Sequence, residues 1–113
     1  MYANKIAYYD DDTFATRDAM NIGRLHCYVQ SWKDASVDFL LSGGFVISDK
    51  VPKVQQDTLL LWGSKDAIIS PTTADKFVTV MPRCELTWVE ECGHVPHLEQ
   101  PSFTAKQITQ FLK

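Results

Sequence analysis

The chain has 113 residues, with 11 Lys plus Arg against 14 Asp plus Glu and a formal net charge of −3. That length holds one domain at most, and 45% hydrophobic against 22% charged residues is a folding composition rather than a disordered one. Mild acidity without a Lys/Arg cluster argues against a nucleic-acid partner, and no apolar run approaches the ~20 residues of a membrane span.

The first residues, Met1-Tyr2-Ala3-Asn4-Lys5-Ile6, lack a charged-then-apolar signal pattern. The stretch from Tyr2 to Tyr9 is aromatic and without a clear period. Asp10, Asp11, Asp12 and Thr13 then offer short side-chain oxygens to the free N–H groups of a first helical turn. Phe14, Ala15, Ala19, Ile22, Leu25 and Val29 recur at helical spacing, which predicts one amphipathic helix over roughly residues 13–30. Asp34 is placed to cap a shorter helix running to Leu41, and Gly43-Gly44 to end it.

Near Pro52 the character changes, dividing the chain into a helical segment, 1–52, and a strand-helix-strand-helix segment, 53–113. Thr58-Leu59-Leu60-Leu61-Trp62 is apolar on both faces and bounded by Gly63, as suits a parallel strand covered on both sides. Ser70-Pro71 reads as a cap with proline at the first helical position. Ala74, Phe77, Val78 and Met81 form that helix's buried stripe, and Pro82 stops it. Leu86 to Val89 is a second strand. Pro101 opens a last helix with Ile108, Phe111 and Leu112 on one face. This order predicts a βαβ unit with parallel strands and a right-handed crossover, followed by a helix.

In open parallel α/β sheets, ligands bind outside the carboxyl ends of the strands. Two loops leave such ends here: Gly63 to Ile68, and Glu90 to His97. Neighbouring strands lie about 4.8 Å apart, so Asp66 of the first loop can meet His94 of the second. A carboxylate there would fix the tautomer and orientation of an imidazole acting as general base. Taken singly, Asp66 is also an ordinary turn residue and His94 an ordinary loop histidine.

Leu59-Leu60-Leu61-Trp62-Gly63-Ser64-Lys65-Asp66 resembles the strand-and-acid motif of α/β-hydrolase-fold enzymes. Cys92-Gly93-His94-Val95-Pro96-His97-Leu98-Glu99-Gln100-Pro101 resembles their Gly-His motif leading into the last helix. The resemblance covers Val54 to Lys113. It implies an α/β fold: the C-terminal βαβα part of a hydrolase sheet preceded by cap-type helices, the sheet incomplete. It also implies catalytic roles for Asp66 and His94, as triad acid and base, without a cofactor. Arg24-Leu25-His26-Cys27, Trp32, Asp34-Ala35 and Phe39 to Phe45 are similar to a block in plant plastid hydrolases related to chlorophyll dephytylase. That likeness implies the end of a helical cap, a bulky apolar ester as small-molecule substrate, and a chloroplast location; otherwise the cytoplasm is expected. The aromatic residues of this block are equally readable as packing surface.

The family places its nucleophile on a Gly-x-Ser-x-Gly elbow between strand and helix. The chain has no such motif. Ser42, in Leu40-Leu41-Ser42-Gly43-Gly44, stands in a permitted chain order but has Leu40 where glycine is required. The family's oxyanion-hole loop and the proline often found at the position of Asp57 are also missing. The expectation is therefore a serine nucleophile upstream of Met1, or an aspartate as in related dehalogenases and epoxide hydrolases, with the 113 residues alone having little activity.

Other classes stay open. Cys92, His94 and His97, with Glu90, Glu91 and Cys84 near in sequence, offer zinc-type ligands without a standard spacing. Cys92 is a weak candidate nucleophile. The three cysteines, Cys27, Cys84 and Cys92, are odd in number and widely spaced, which points to a reducing compartment. A sheet lacking its earlier strands leaves an open edge along Thr58 to Trp62, suited to self-association as a non-catalytic fragment.

Overall fold

The computed structural model describes residues 5–113. The readings on Met1 to Asn4, including the signal pattern, lie outside the described residues. The expected helix over 13–30 is instead three pieces. Helix α1 spans Asp11–Phe14, capped by Asp10, whose Oδ1 accepts from the Thr13 N–H at 3.1 Å. Thr16 turns extended and caps α2, Arg17–Gly23, by accepting from the Ala19 N–H at 3.1 Å. A 3-10 turn, Leu25–Tyr28, follows. Periodicity located the apolar positions, but the Thr16 cap competes for the backbone and splits the helix.

Helix α3 spans Trp32–Leu41. It begins after Ser31, at φ 64°, rather than at Asp34, which sits within its first turn. Its end is as expected. Gly43 and Gly44 lie at φ 79° and 75°, and the Gly44 N–H reaches the Phe39 carbonyl while the Gly43 N–H reaches that of Leu40. This pair of bonds closes the last helical carbonyls.

The second segment follows the predicted order. Strand β1 is Thr58–Gly63, α4 is Thr72–Val80, β2 is Cys84–Val89, and α6, Pro101–Phe111, is preceded by a short α5, Pro96–Glu99, which overlaps the end of the loop read from Glu90 to His97. The strands form a parallel pair in register from Thr58 opposite Cys84 to Gly63 opposite Val89. Both strands therefore end side by side, and both exit loops start from adjacent points. Helix α4 begins one residue later than expected: Pro71 is the cap position, and the Ser70 hydroxyl bonds Thr72 Oγ1 instead of capping.

The expected double-sided burial is only partly present. Along β1 the residues are half-buried up to the buried Gly63. In α4 Ala74 is buried, but Val78 is exposed. On α6 Ile108 faces solvent, as does Leu112 just beyond its end, although Phe111 is half-buried. The chain exposes 8488 Å², whereas a folded monomer of 12.8 kDa exposes roughly 6,300 Å². Exposed apolar side chains, including Leu40, Leu41, Phe45 and Val46, contribute to the excess.

Candidate active site

The turn after β1 is built by Asp66. Its Oδ1 accepts the N–H groups of Ile68 at 2.8 Å and Ile69 at 3.0 Å, as a turn aspartate does. Its other oxygen is left for a second task. Oδ2 lies 2.9 Å from His94 Nδ1. Both readings of Asp66 thus hold at once, one for each oxygen. The carboxylate is nearly enclosed, at 5% side-chain exposure, while the imidazole is 36% exposed.

Burial alone would push the Asp66 carboxyl up. The His94 hydrogen bond, the Ile69 and Ile68 N–H groups and the charge of His94 outweigh it and hold the carboxyl below its ordinary value. An ionised carboxylate can only accept, so Nδ1 carries a proton, and in the neutral imidazole Nε2 then keeps the free lone pair. The arrangement can take a proton at Nε2 and stabilise the resulting imidazolium.

A pH dependence of stability follows. A depressed folded-state carboxyl contributes stability above its unfolded value of about 3.9, and that contribution is lost as pH falls through the lower folded value. Asp66→Asn is expected to melt below the unchanged protein at pH 7, with the gap narrowing as pH falls below the unfolded carboxyl value of about 3.9. A gap independent of pH, in parallel thermal melts, would rule this out.

The second loop is held by backbone packing. Glu91, at φ 48°, turns the chain after β2. Ser64 N–H then bonds the Val89 carbonyl, and Lys65 N–H the Cys92 carbonyl, each at 2.9 Å. A cavity of about 190 Å³ adjoins the pair, lined by Leu60, Leu61, Trp62, Ile69 and Pro96 together with Asp66 and His94. Its largely apolar wall suits an apolar ligand portion.

Other residues singled out in the sequence do not join this pair. Ser42 ends α3, and its hydroxyl donates to the Phe39 carbonyl at 2.8 Å. No helix follows it as an elbow would require. Cys92 is fully buried, and its thiol is pushed up to about 12 by burial, then by the charge and hydrogen bond of Glu99 and the charge of Asp66. That is the reverse of an activated thiol. The reading of Cys92, His94, His97, Glu90, Glu91 and Cys84 as a metal module is corrected as well: among the described residues, no three His, Cys, Asp or Glu side chains converge on one point. Closeness in sequence fails here because Glu90 and Glu91 turn outward while Cys92 turns into the core.

No family model matches the chain. It is 33% identical over 111 residues to the alpha/beta hydrolase domain-containing protein VTE7 of Arabidopsis thaliana, covering 98% of this chain and 34% of that protein. The crystal structure of a serine hydrolase involved in carbazole degradation superimposes with a TM-score of 0.79 at 26% identity, over 98% of this chain and 45% of that one. The chain has the architecture of part of an α/β-hydrolase fold. A human monoacylglycerol lipase, ABHD6, is 29% identical over 68 residues, 60% of this chain and 20% of the lipase. The chain thus spans about a third or less of these curated relatives. As an α/β-hydrolase-fold part it shows the parallel strand pair and helices of that fold, in an incomplete sheet.

The sequence reading missed Glu99, although it lies inside the Gly-His motif. It is a buried carboxylate that accepts the Gly93 N–H at 2.7 Å and the Tyr9 N–H at 2.8 Å. A buried acid is normally paired, and its position five residues after His94 was the available signal.

Proposed function

We propose that this chain supplies the acid and base of an ester hydrolase. Asp66 orients His94, and His94 deprotonates a nucleophile that the 113 residues do not carry on a Gly-x-Ser-x-Gly elbow. Attack on an ester carbonyl then forms an acyl-enzyme, the alcohol leaves with the proton held at His94 Nε2, and water releases the acid. The observation that supports this most is the 2.9 Å contact between His94 Nδ1 and Asp66 Oδ2, at the ends of two adjacent parallel strands. Serine is the proposed nucleophile, and a small-molecule apolar ester the substrate, in keeping with the cavity wall and the lipase relative. In the same reading, residues 53–113 are the catalytic core segment and residues 1–52 the end of a cap, and a plastid location follows from the likeness to plant hydrolases. Ester hydrolysis by the protein in a form with a complete sheet, compared with its His94 and Asp66 variants, is the test developed in the Discussion.

A second reading is favoured by one observation. Among the described residues each strand has a neighbour on one side only, and side chains such as Tyr28, Leu41 and Phe45 are more than 80% exposed. Unpaired strand edges and apolar surface of this kind associate. The isolated chain is expected to sediment as concentration-dependent oligomers. A sharp monomer with cooperative thermal unfolding would contradict self-association.

A further inference from the structure

One carboxylate joins three parts of the chain that lie far apart in sequence. Glu99 is 8% exposed and stands at the end of α5. Its Oε1 accepts the Gly93 N–H at 2.7 Å and approaches Cys92 Sγ at 3.7 Å. Its Oε2 accepts the N–H groups of Tyr9 at 2.8 Å and Asp10 at 3.2 Å. The same N-terminal stretch also meets the base directly: the His94 N–H donates to the Ala7 carbonyl at 2.7 Å. The backbone of residues 7–9 lies so close to Gly93 that a Cβ there would come within 2.6 Å of the Ala7 carbonyl oxygen and 2.8 Å of the Tyr9 nitrogen.

These bonds have a direction. Three backbone donors with no helix or strand partner face one carboxylate, and one of them, Gly93, is the residue immediately before His94. We propose that Glu99 is a positioning residue: by gripping Gly93 on one oxygen and the Tyr9–Asp10 strap on the other, it sets the backbone from which His94 reaches Asp66. This role rests on the reading of His94 as the base only for its catalytic consequence. The positioning itself is a property of the His94–Asp66 contact. Glu99 touches neither reacting atom and is not a catalytic residue.

The chemistry explains why glutamate and not glutamine is required. A glutamine has one accepting oxygen and one donating amide. Whichever way it turns, its NH₂ faces either the Gly93 N–H or the strap N–H groups, and a buried donor is left without an acceptor.

The test uses the 113-residue chain with ¹⁵N-labelled histidine and backbone, and does not depend on activity. In the unchanged protein the amides of Gly93, Tyr9 and Asp10 are expected to be protected from hydrogen exchange, despite lying outside helices and strands. Exchange of all three at free-loop rates would overturn the proposal without any variant being made. Glu99→Gln is expected to speed Gly93 exchange about tenfold or more and to abolish the downfield Nδ1–H signal of His94 bonded to Asp66. Thr104→Val is the control. Thr104 is equally buried, and its hydroxyl bonds the Pro96 carbonyl at 3.1 Å on the same pair of helices. It should lower the melting temperature and leave the His94 signal in place. A Glu99→Gln protein that keeps the signal, or a Thr104→Val protein that loses it equally, overturns the positioning role. If Glu99→Gln does not fold, Glu99→Asp decides the matter: a carboxylate one methylene shorter cannot hold Gly93 and the Tyr9–Asp10 strap together, so exchange should speed at one side and the His94 signal weaken, whereas three protected amides with an unchanged signal count against the proposal.

Discussion

His94→Ala is expected to lower ester hydrolysis by about four to six orders of magnitude in a form of the protein with a complete sheet, with little change in substrate binding. The reason is that Nε2 is the proposed proton acceptor, and the half-exposed side chain carries little of the packing. Asp66→Asn is expected to cost about four orders of magnitude through a different route. The amide can present an N–H to Nδ1, which favours the tautomer with its proton on Nε2 and removes the lone pair that acts as base. The two losses should not add, because each disables the same unit. Initial rates on an aromatic ester across a pH series, for both single variants and the double variant, provide the measurement. Near-normal rates in both single variants would end the assignment of acid and base, and multiplying losses would show that the residues work apart.

The second large effect concerns the backbone beneath the site. Gly63 ends β1, and a Cβ added there would run into the Gly93 carbonyl and approach the Cys92 carbonyl oxygen at 2.5 Å. Both obstacles are main chain and cannot rotate away. Behind them lies the Ala7–Tyr9 backbone, which leaves the second loop no room to retreat. Gly63→Ala is therefore expected to cost at least about 3 kcal/mol, the upper end of overpacking. For a chain of this size, that lowers the melting temperature by roughly 10 °C or more. Gly23→Ala, where a Cβ would meet nothing within 4 Å, should change it little. Equal melting temperatures for the two variants would show that the three backbone layers are not packed as described. The Gly63 variant should also separate Asp66 from His94, so its loss of activity exceeds its loss of folded protein.

The two predictions meet in one piece of architecture. Two parallel strands end in register, and their exit loops cross at the closest distance that glycine permits. Asp66 and His94 then point at each other without either loop being long. The accepting oxygen of Asp66 that shapes its own turn makes the other oxygen's position a consequence of local backbone geometry. Precision at the pair comes from short-range constraints on each side, joined by main-chain contact between the loops.

The sequence by itself determined the second half of the chain. Apolar runs bounded by glycine, proline after Ser70, and proline at position 101 placed both strands and the two long helices, because local propensity and core demand agree there. The same order put Asp66 and His94 at carboxyl ends, which made their meeting legible before any coordinates. The N-terminal half was less legible. A helical period was visible from Phe14 to Val29, but the break at Thr16 depends on a side chain competing for backbone N–H groups, and apolar spacing carries no sign of that contest. Only the tertiary structure decided which residues support His94. Glu99 and the strap at Ala7 to Asp10 are 89 or more residues apart and meet where both bond the second loop, Glu99 through the Gly93 N–H and the strap through the His94 N–H. Likewise, Gly63 and Gly93 look like ordinary turn glycines in sequence, and they are needed because other main chain occupies the space a side chain would fill. Periodicity reports which face of an element is apolar; it does not report how closely two backbones approach, and at this site that distance sets the contact between Asp66 and His94.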